Sequence, residues 1–335
     1  MTTLTLAGST AIVAGGSAGI GRAIVAALRT EGMNVGVIAR DTDRLAQIEA
    51  ETDAEGSAPR IATASADVAD AAALEAAGDA LTARLGPPDV WINCAMQTAF
   101  SPFEQMTVEE FDRIVAVTLM GQVNGCRAAL RLMPKDDGRT RRIVNIGSGL
   151  AYRSVPFQSA YCAAKHGING FTASLRSELM RQDRPVTLSM VQLPAVNTPQ
   201  FDWARNRLDR MPQPAPPIYA PDAVARAAVR AVREGPRELL VGQSVLKLVL
   251  GHLVAPDWLD RKMAEAGADL QKSGRDEPGG RPDNLDAPVP YPARAEGSFS
   301  DRQQDRVLIV DGGWTRLAVF GGVSLLLFLL GLALG

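Results

Sequence analysis

Histidine and cysteine are scarce, with two and three residues in a chain of 335. Cys94, Cys126 and Cys162 are odd in number and far apart, so they offer neither a disulfide framework nor a metal-ligand spacing. Two histidines are too few for a His-based metal centre, and no metal is expected. A basic excess is lacking as well. The net charge is -2, which excludes the clustered Lys/Arg surface that nucleic-acid phosphates require. Met1–Gly15 has no basic segment before its apolar run and no cleavage pattern after it. That stretch reads as a first strand, not as a secretory leader.

Apolar mass, in contrast, is ample: 46% of the chain is hydrophobic and 21% charged, the balance of a globular protein with a large core. The length is long for one domain and short for two. Short β-type runs alternate with helical periodicity. Strands are predicted at Thr10–Ala14, Asn34–Ala39, Ile61–Ala64, Val90–Asn93, Arg142–Ile146, Val186–Gln192 and Glu238–Val241. Between them, helices are predicted at Gly19–Arg29, Asp41–Glu55, Asp70–Leu85, Val108–Leu132, Gln158–Arg181 and Pro221–Glu234. Such alternation predicts right-handed βαβ units and a doubly wound parallel sheet, a Rossmann-type α/β domain over residues 1–270. Residues 271–312 are rich in Pro, Gly, Asp and Arg without periodicity, which predicts a flexible, disordered linker. Leu317–Gly335 is a run of 19 uncharged residues, so residues 313–335 are expected to form a transmembrane tail. Nothing at the N-terminus would export the domain, which is therefore expected to face the cytoplasm.

Three glycines, Gly15, Gly19 and Gly21, follow the first predicted strand and open the first predicted helix. This spacing suits a sharp turn, a close backbone approach to a pyrophosphate and a helix packed tightly on the sheet. The helix N-terminus then offers unpaired N–H groups and the positive end of its dipole to phosphates.

The pattern resembles the short-chain dehydrogenase/reductase family, with Ala14 where the family has Thr. Asp67-Val68 resembles the pair that contacts adenine, and Asn93-Cys94-Ala95 a degenerate NNAG. Tyr161 and Lys165 match YxxxK, with Ser148 thirteen residues upstream, and Pro194, Val196 and Thr198 fall in a PGxVxT-like segment. The resemblance spans about residues 8–242. It implies a dinucleotide held by Gly15, Ser17, Gly19, Ile20, Gly21, Arg40, Asp67, Val68, Asn93, Ala95, Tyr161, Lys165, Pro194, Val196 and Thr198. Arg40 follows the second strand where an acid would bond a ribose 2′-hydroxyl and an Arg would accommodate a 2′-phosphate, so NADP(H) is expected.

The resemblance also implies the catalytic roles. Tyr161 would be general acid/base, Lys165 would lower its pKa and bind ribose hydroxyls, and Ser148 would hydrogen-bond the reacting oxygen. Thr118 stands where many members carry an Asn in VNLxG, which puts the proton relay in question. His166 beside Lys165 reads as a helix residue with a satisfied ring. Gln200–Pro217, with Phe201, Trp203, Leu208 and Met211, lies where the family covers its substrate and suggests a hydrophobic carbonyl/alcohol pair. The competing reading is a catalytically inactive NADP(H)-binding sensor or scaffold. A homo-oligomer paired through the two long helices is expected from the resemblance alone.

Overall fold

The computed structural model describes residues 4–54, 59–135, 137–319 and 321–322. Its centre is an eight-stranded sheet: β1 (Thr10–Ala14), β2 (Asn34–Ala39), β3 (Ile61–Ser65), β4 (Val90–Asn93), β5 (Arg141–Ser148), β6 (Val186–Leu193), β7 (Glu238–Val241) and β8 (Ile309–Asp311). The spatial order is β8-β7-β6-β5-β4-β1-β2-β3. Every pairing is parallel except β7 with β8, which is antiparallel. The order reverses between β1 and β4, and in open α/β sheets ligands bind in the crevice at such a switch point.

The strands are apolar on both faces because helices cover both. In β1, Ala11 and Val13 join one core while Ile12 and Ala14 join the other, as a period of two requires. The first core is roofed by α1 (Gly19–Thr30), α2 (Thr42–Ala54) and α7 (Pro221–Glu234), through Leu28, Ile48 and Val232 among others. Opposite lie α3 (Ala71–Leu85), α5 (Gly121–Leu132) and α6 (Ser159–Arg181), which contribute Leu81, Ala129 and Leu179. Asp41 caps α2 by accepting from Arg44 N at 2.8 Å, and Asp70 caps α3 through Ala73 N at 3.0 Å.

The sequence reading is corrected in three places. The single helix expected over Val108–Leu132 is α4 (Val108–Val115), a π turn at Ala116–Met120, and then α5. Two further helices, α8 (Gln243–Val254) and α9 (Pro256–Lys262), follow β7. Residues 271–311 form no loose linker. Lys272–Asp276 pairs antiparallel with Arg210–Pro212, Gln303–Gln304 pairs with Ile218–Tyr219, and β8 completes the sheet. The polar composition that suggests solvation is spent instead on ion pairs such as Arg205 with Asp283 (2.9 Å) and Asp286 (2.8 Å), while Leu285, Val289 and Phe299 are buried anchors. No helix among the described residues is long and apolar enough to cross a membrane. The expected tail, Leu317–Gly335, lies mostly outside the described residues; its first residues, 317–319, close a helical stretch over 312–319.

Candidate active site

A cavity of about 590 Å³ opens at the switch point, along the C-terminal ends of the strands. Of the residues expected from the sequence, Gly15, Ser17, Gly19, Ile20, Gly21, Arg40, Asp67, Val68, Ala95, Ser148, Tyr161, Lys165, Pro194, Val196 and Thr198 all line it. Asn93 and Thr118 do not.

The glycine turn is built for a close approach. Gly15 has φ +89°, and a Cβ there would lie 2.4 Å from Ala95 N; a Cβ on Gly21 would lie 1.9 Å from Gly15 O. No side chain caps α1, whose N-cap is Ala18; the Gly19 N–H donates to Arg294 O at 3.0 Å, which leaves those of Ile20 and Gly21 for a ligand in the cavity. The cradle therefore fits the diphosphate of a dinucleotide. At the end of β2, Arg40 stands 3.9 Å from Asp67, which also pairs with Arg113. Burial lowers the pKa of Arg40, and Asp67 opposes that shift. Arg44, one turn further along, lines the same wall and was not singled out from the sequence, although its i,i+4 spacing from Arg40 was visible.

Tyr161 and Lys165 share one face of α6, with the Lys165 ammonium 5.6 Å from the Tyr161 ring centre. The Lys165 Nζ donates to Ile146 O at 2.8 Å. Burial pushes Lys165 down to about 8. Burial also raises the Tyr161 phenol, a hydrogen bond with Ser148 pulling it the other way. Without a bound cation, burial favours the neutral phenol. Ser148 ends β5, where Gln192 Oε1 accepts from its N–H at 2.9 Å and its own Oγ accepts from Leu150 N at 3.1 Å.

The two absent residues have structural occupations. Asn93 is buried, accepts from Trp91 Nε1 at 2.8 Å and donates to Asn145 Oδ1 at 2.8 Å, so it ties β4 to β5 beneath the site. Thr118 sits in the π turn, where its hydroxyl accepts from Gln97 N and donates to Gln97 O, both at 3.0 Å. The ring of His166 is satisfied, with Nδ1 2.9 Å from Cys162 O. All three cysteines are free and buried.

The far end of the cavity is apolar. Phe201, Pro216 and Pro217 line it as expected, joined by Phe100, Leu150, Val245, Leu248 and Met263, whereas Trp203 lines the cavity beside Arg44, 5.1 Å from its guanidinium. Leu208 and Met211 do not line it; Leu208 packs on Phe100 and Ala204. Among these apolar walls one polar chain stands out. Thr98 Oγ1 donates to Gln158 Oε1 (3.2 Å), and Gln158 Nε2 donates to Gln271 Oε1 (2.6 Å). Gln158 lies three residues before Tyr161 and could have been suspected. Gln271 and Asn284 reach the cavity only because the chain returns, which no local pattern announces.

The sequence model of the family described as short chain dehydrogenase matches residues 9–208. The chain belongs to the short-chain dehydrogenase/reductase family. It is 31% identical over 226 residues to D-threitol dehydrogenase of Mycolicibacterium smegmatis, covering 67% of this chain and 85% of that one. To a probable oxidoreductase, EphD, of Mycobacterium tuberculosis it is 33% identical over 238 residues, covering 66% of this chain but only 39% of the relative. Among solved structures, a short chain dehydrogenase from Burkholderia cenocepacia in complex with NADP superposes with a TM-score of 0.59 at 26% identity, covering 70% of this chain and 93% of that one. As a short-chain dehydrogenase/reductase the chain is an alcohol/carbonyl oxidoreductase of small molecules, and a nicotinamide dinucleotide is the cofactor typical of the family.

Proposed function

We propose that this enzyme uses NADP(H) to interconvert a ketone or aldehyde with an alcohol on a hydrophobic small molecule. The observation that carries the cofactor preference is the end of β2, where Ala39 stands in place of an acid, Arg40 and Arg44 line the cavity, and its two carboxylates, Asp41 and Asp67, are already paired with Arg44 and Arg113. A 2′-phosphate gains from that local charge, whereas a 2′-hydroxyl finds no carboxylate dedicated to it. Isothermal titration tests this: NADPH should bind more tightly than NADH, and Arg40→Ala should narrow the gap by weakening NADPH more than NADH. Equal dissociation constants in the native protein would end the reading.

Ser17, Ile20 and Gly21 would hold the diphosphate, and Lys165 the nicotinamide ribose. When bound, the nicotinamide supplies or accepts the hydride. The protein's part is the proton. Ser148 donates a hydrogen bond to the carbonyl oxygen as negative charge grows on it, and Tyr161, held neutral by burial, gives that oxygen its proton. Lys165 lies behind Tyr161 and favours the phenolate left by that transfer. The apolar far wall, with Phe201, Val245 and Leu248, supports a lipophilic substrate body. Keeping Ser148, Tyr161 and Lys165 in one cavity is chemistry a scaffold would not need.

The tail is part of the same proposal. Leu317–Gly335 would hold the enzyme on a membrane with the catalytic domain in the cytoplasm, where NADP(H) is supplied. Nineteen uncharged residues at ~1.5 Å each span about 28 Å, close to the ~30 Å hydrocarbon core. A homodimer through α4–α5 and α6 is supported by exposed Val108, Met120 and Met180 on that side. Sedimentation of the protein without its tail should show a dimer, and a monomer alone would remove this element of the reading.

A further inference from the structure

The segment after residue 280 lies beyond the stretch that matches the family, yet it borders the dinucleotide end of the cavity. Asn284 is held there by its backbone alone. Its carbonyl accepts from Arg40 Nη2 at 2.8 Å and from Gln97 Nε2 at 2.6 Å, and its N–H donates to Trp203 O at 3.0 Å. The residue lines the cavity and is only 9% exposed, and its Oδ1 has no partner. Gln97, 1% exposed and on the same wall, likewise leaves Oε1 unpaired. Buried acceptors are normally satisfied, so two orphan amide oxygens on one cavity mark where a ligand's N–H or O–H donors go.

The rest of the segment is fastened to the same wall. Leu285 is fully buried, and its carbonyl accepts from Arg113 Nε at 3.2 Å. Arg44 Nη1 donates to Val289 O at 3.0 Å and Tyr291 O at 3.3 Å, and the Gly19 N–H at the head of α1 donates to Arg294 O at 3.0 Å. We propose that residues 281–298 form a strap that completes the dinucleotide site. Within it, Asn284 is a binding residue whose Oδ1 accepts from the donors of the adenosine: the exocyclic amine and the ribose hydroxyls. This rests on the NADP(H) reading above. The arginines hold the strap carbonyls with some of their N–H groups and keep others for phosphate, so the strap and the dinucleotide hold each other in place.

The test combines titration with hydrogen exchange of the full chain in detergent. Asn284→Ala leaves the strap's backbone bonds intact. It should weaken both NADPH and adenosine 2′,5′-bisphosphate about tenfold, the scale of one lost hydrogen bond. Saturating NADPH should slow amide exchange across residues 281–298 of the native chain at least tenfold. NADPH binding with no change in that exchange overturns the strap. Dissociation constants for Asn284→Ala within twofold of native overturn the role of Asn284. A loss confined to NADPH, with the bisphosphate unaffected, overturns its placement on the adenosine. A native chain that binds neither NADPH nor NADH overturns the cofactor reading, and the inference with it.

Discussion

Tyr161 and Lys165 are buried together, and burial acts on them in opposite senses: the phenol is pushed up and the ammonium down to about 8. Both are driven towards neutrality, which suits a proton donor and makes the lysine charge costly to the folded protein. Tyr161→Phe should therefore lower turnover by the ~10²–10⁴ typical of general acid–base catalysis, with NADPH affinity within about twofold of native. Retained turnover would remove Tyr161 from the mechanism. Lys165 gives a second measurable consequence. Its folded pKa lies below the ordinary lysine value of ~10.4. Between pH 8 and that value the unfolded chain holds the proton that the folded one has lost, and stability rises with pH. Relative to Lys165→Met, the native protein without dinucleotide should gain on the order of 2 kcal/mol from pH 7.5 to 10. Urea unfolding of the pair would measure it, and parallel pH dependences would contradict the burial of a charged lysine.

Among the elements, the π turn at Ala116–Met120 shows what a one-residue departure from a motif can conceal. Thr118 lacks an amide, but its hydroxyl makes a two-bond clamp on Gln97, whose side chain in turn holds the carbonyls of Asn284 and Leu285. Thr118→Val should cost about 2 kcal/mol, because a buried N–H and C=O both lose their partner. Thr118→Ser should restore most of it in chemical denaturation. An undisturbed Thr118→Val would show that the clamp contributes nothing. Strand and helix positions up to β7 were legible because each strand is a short apolar run closed by a turn signal, and each helix carries its own periodicity. β1, β2, β4 and β7 and helix α7 fall at the residues expected. The site was legible for a related reason: its residues sit at strand ends and helix starts, where topology converges them. Asn93 was misplaced because a strand-end amide can serve the layer below the cavity as readily as the cavity. The strap was missed because its order comes from arginines of α2 and α4, more than a hundred residues away in sequence, and not from any periodicity of its own.

For the whole molecule, two regions decide behaviour in solution. The full-length chain should sediment with membranes, resist salt and alkali, and come off in detergent; a soluble full-length protein after ultracentrifugation would disprove the anchor. Where the tail is cut matters. Ending the chain near Ser300 would remove β8, along with the bond from Arg316 to Glu238 at 2.6 Å, whereas ending it after Arg316 keeps both. The chain ending after Arg316 should give a monodisperse, folded domain, and the one ending near Ser300 aggregates by light scattering. If the two behave alike, β8 is dispensable.

The antiparallel strand β8 has a consequence of its own. A sheet edge is a row of unpaired backbone donors and acceptors, a template on which a foreign strand can grow. Along β7 that row would run beside Leu239, Leu240 and Val241, each essentially inaccessible to solvent in the folded chain. By turning back against them, the last strand acts as a guard against self-association. It is the most C-terminal strand among the described residues and follows every residue that lines the cavity. Trimming there would therefore expose a sticky edge before it touched the active site, and lost solubility would precede lost catalysis.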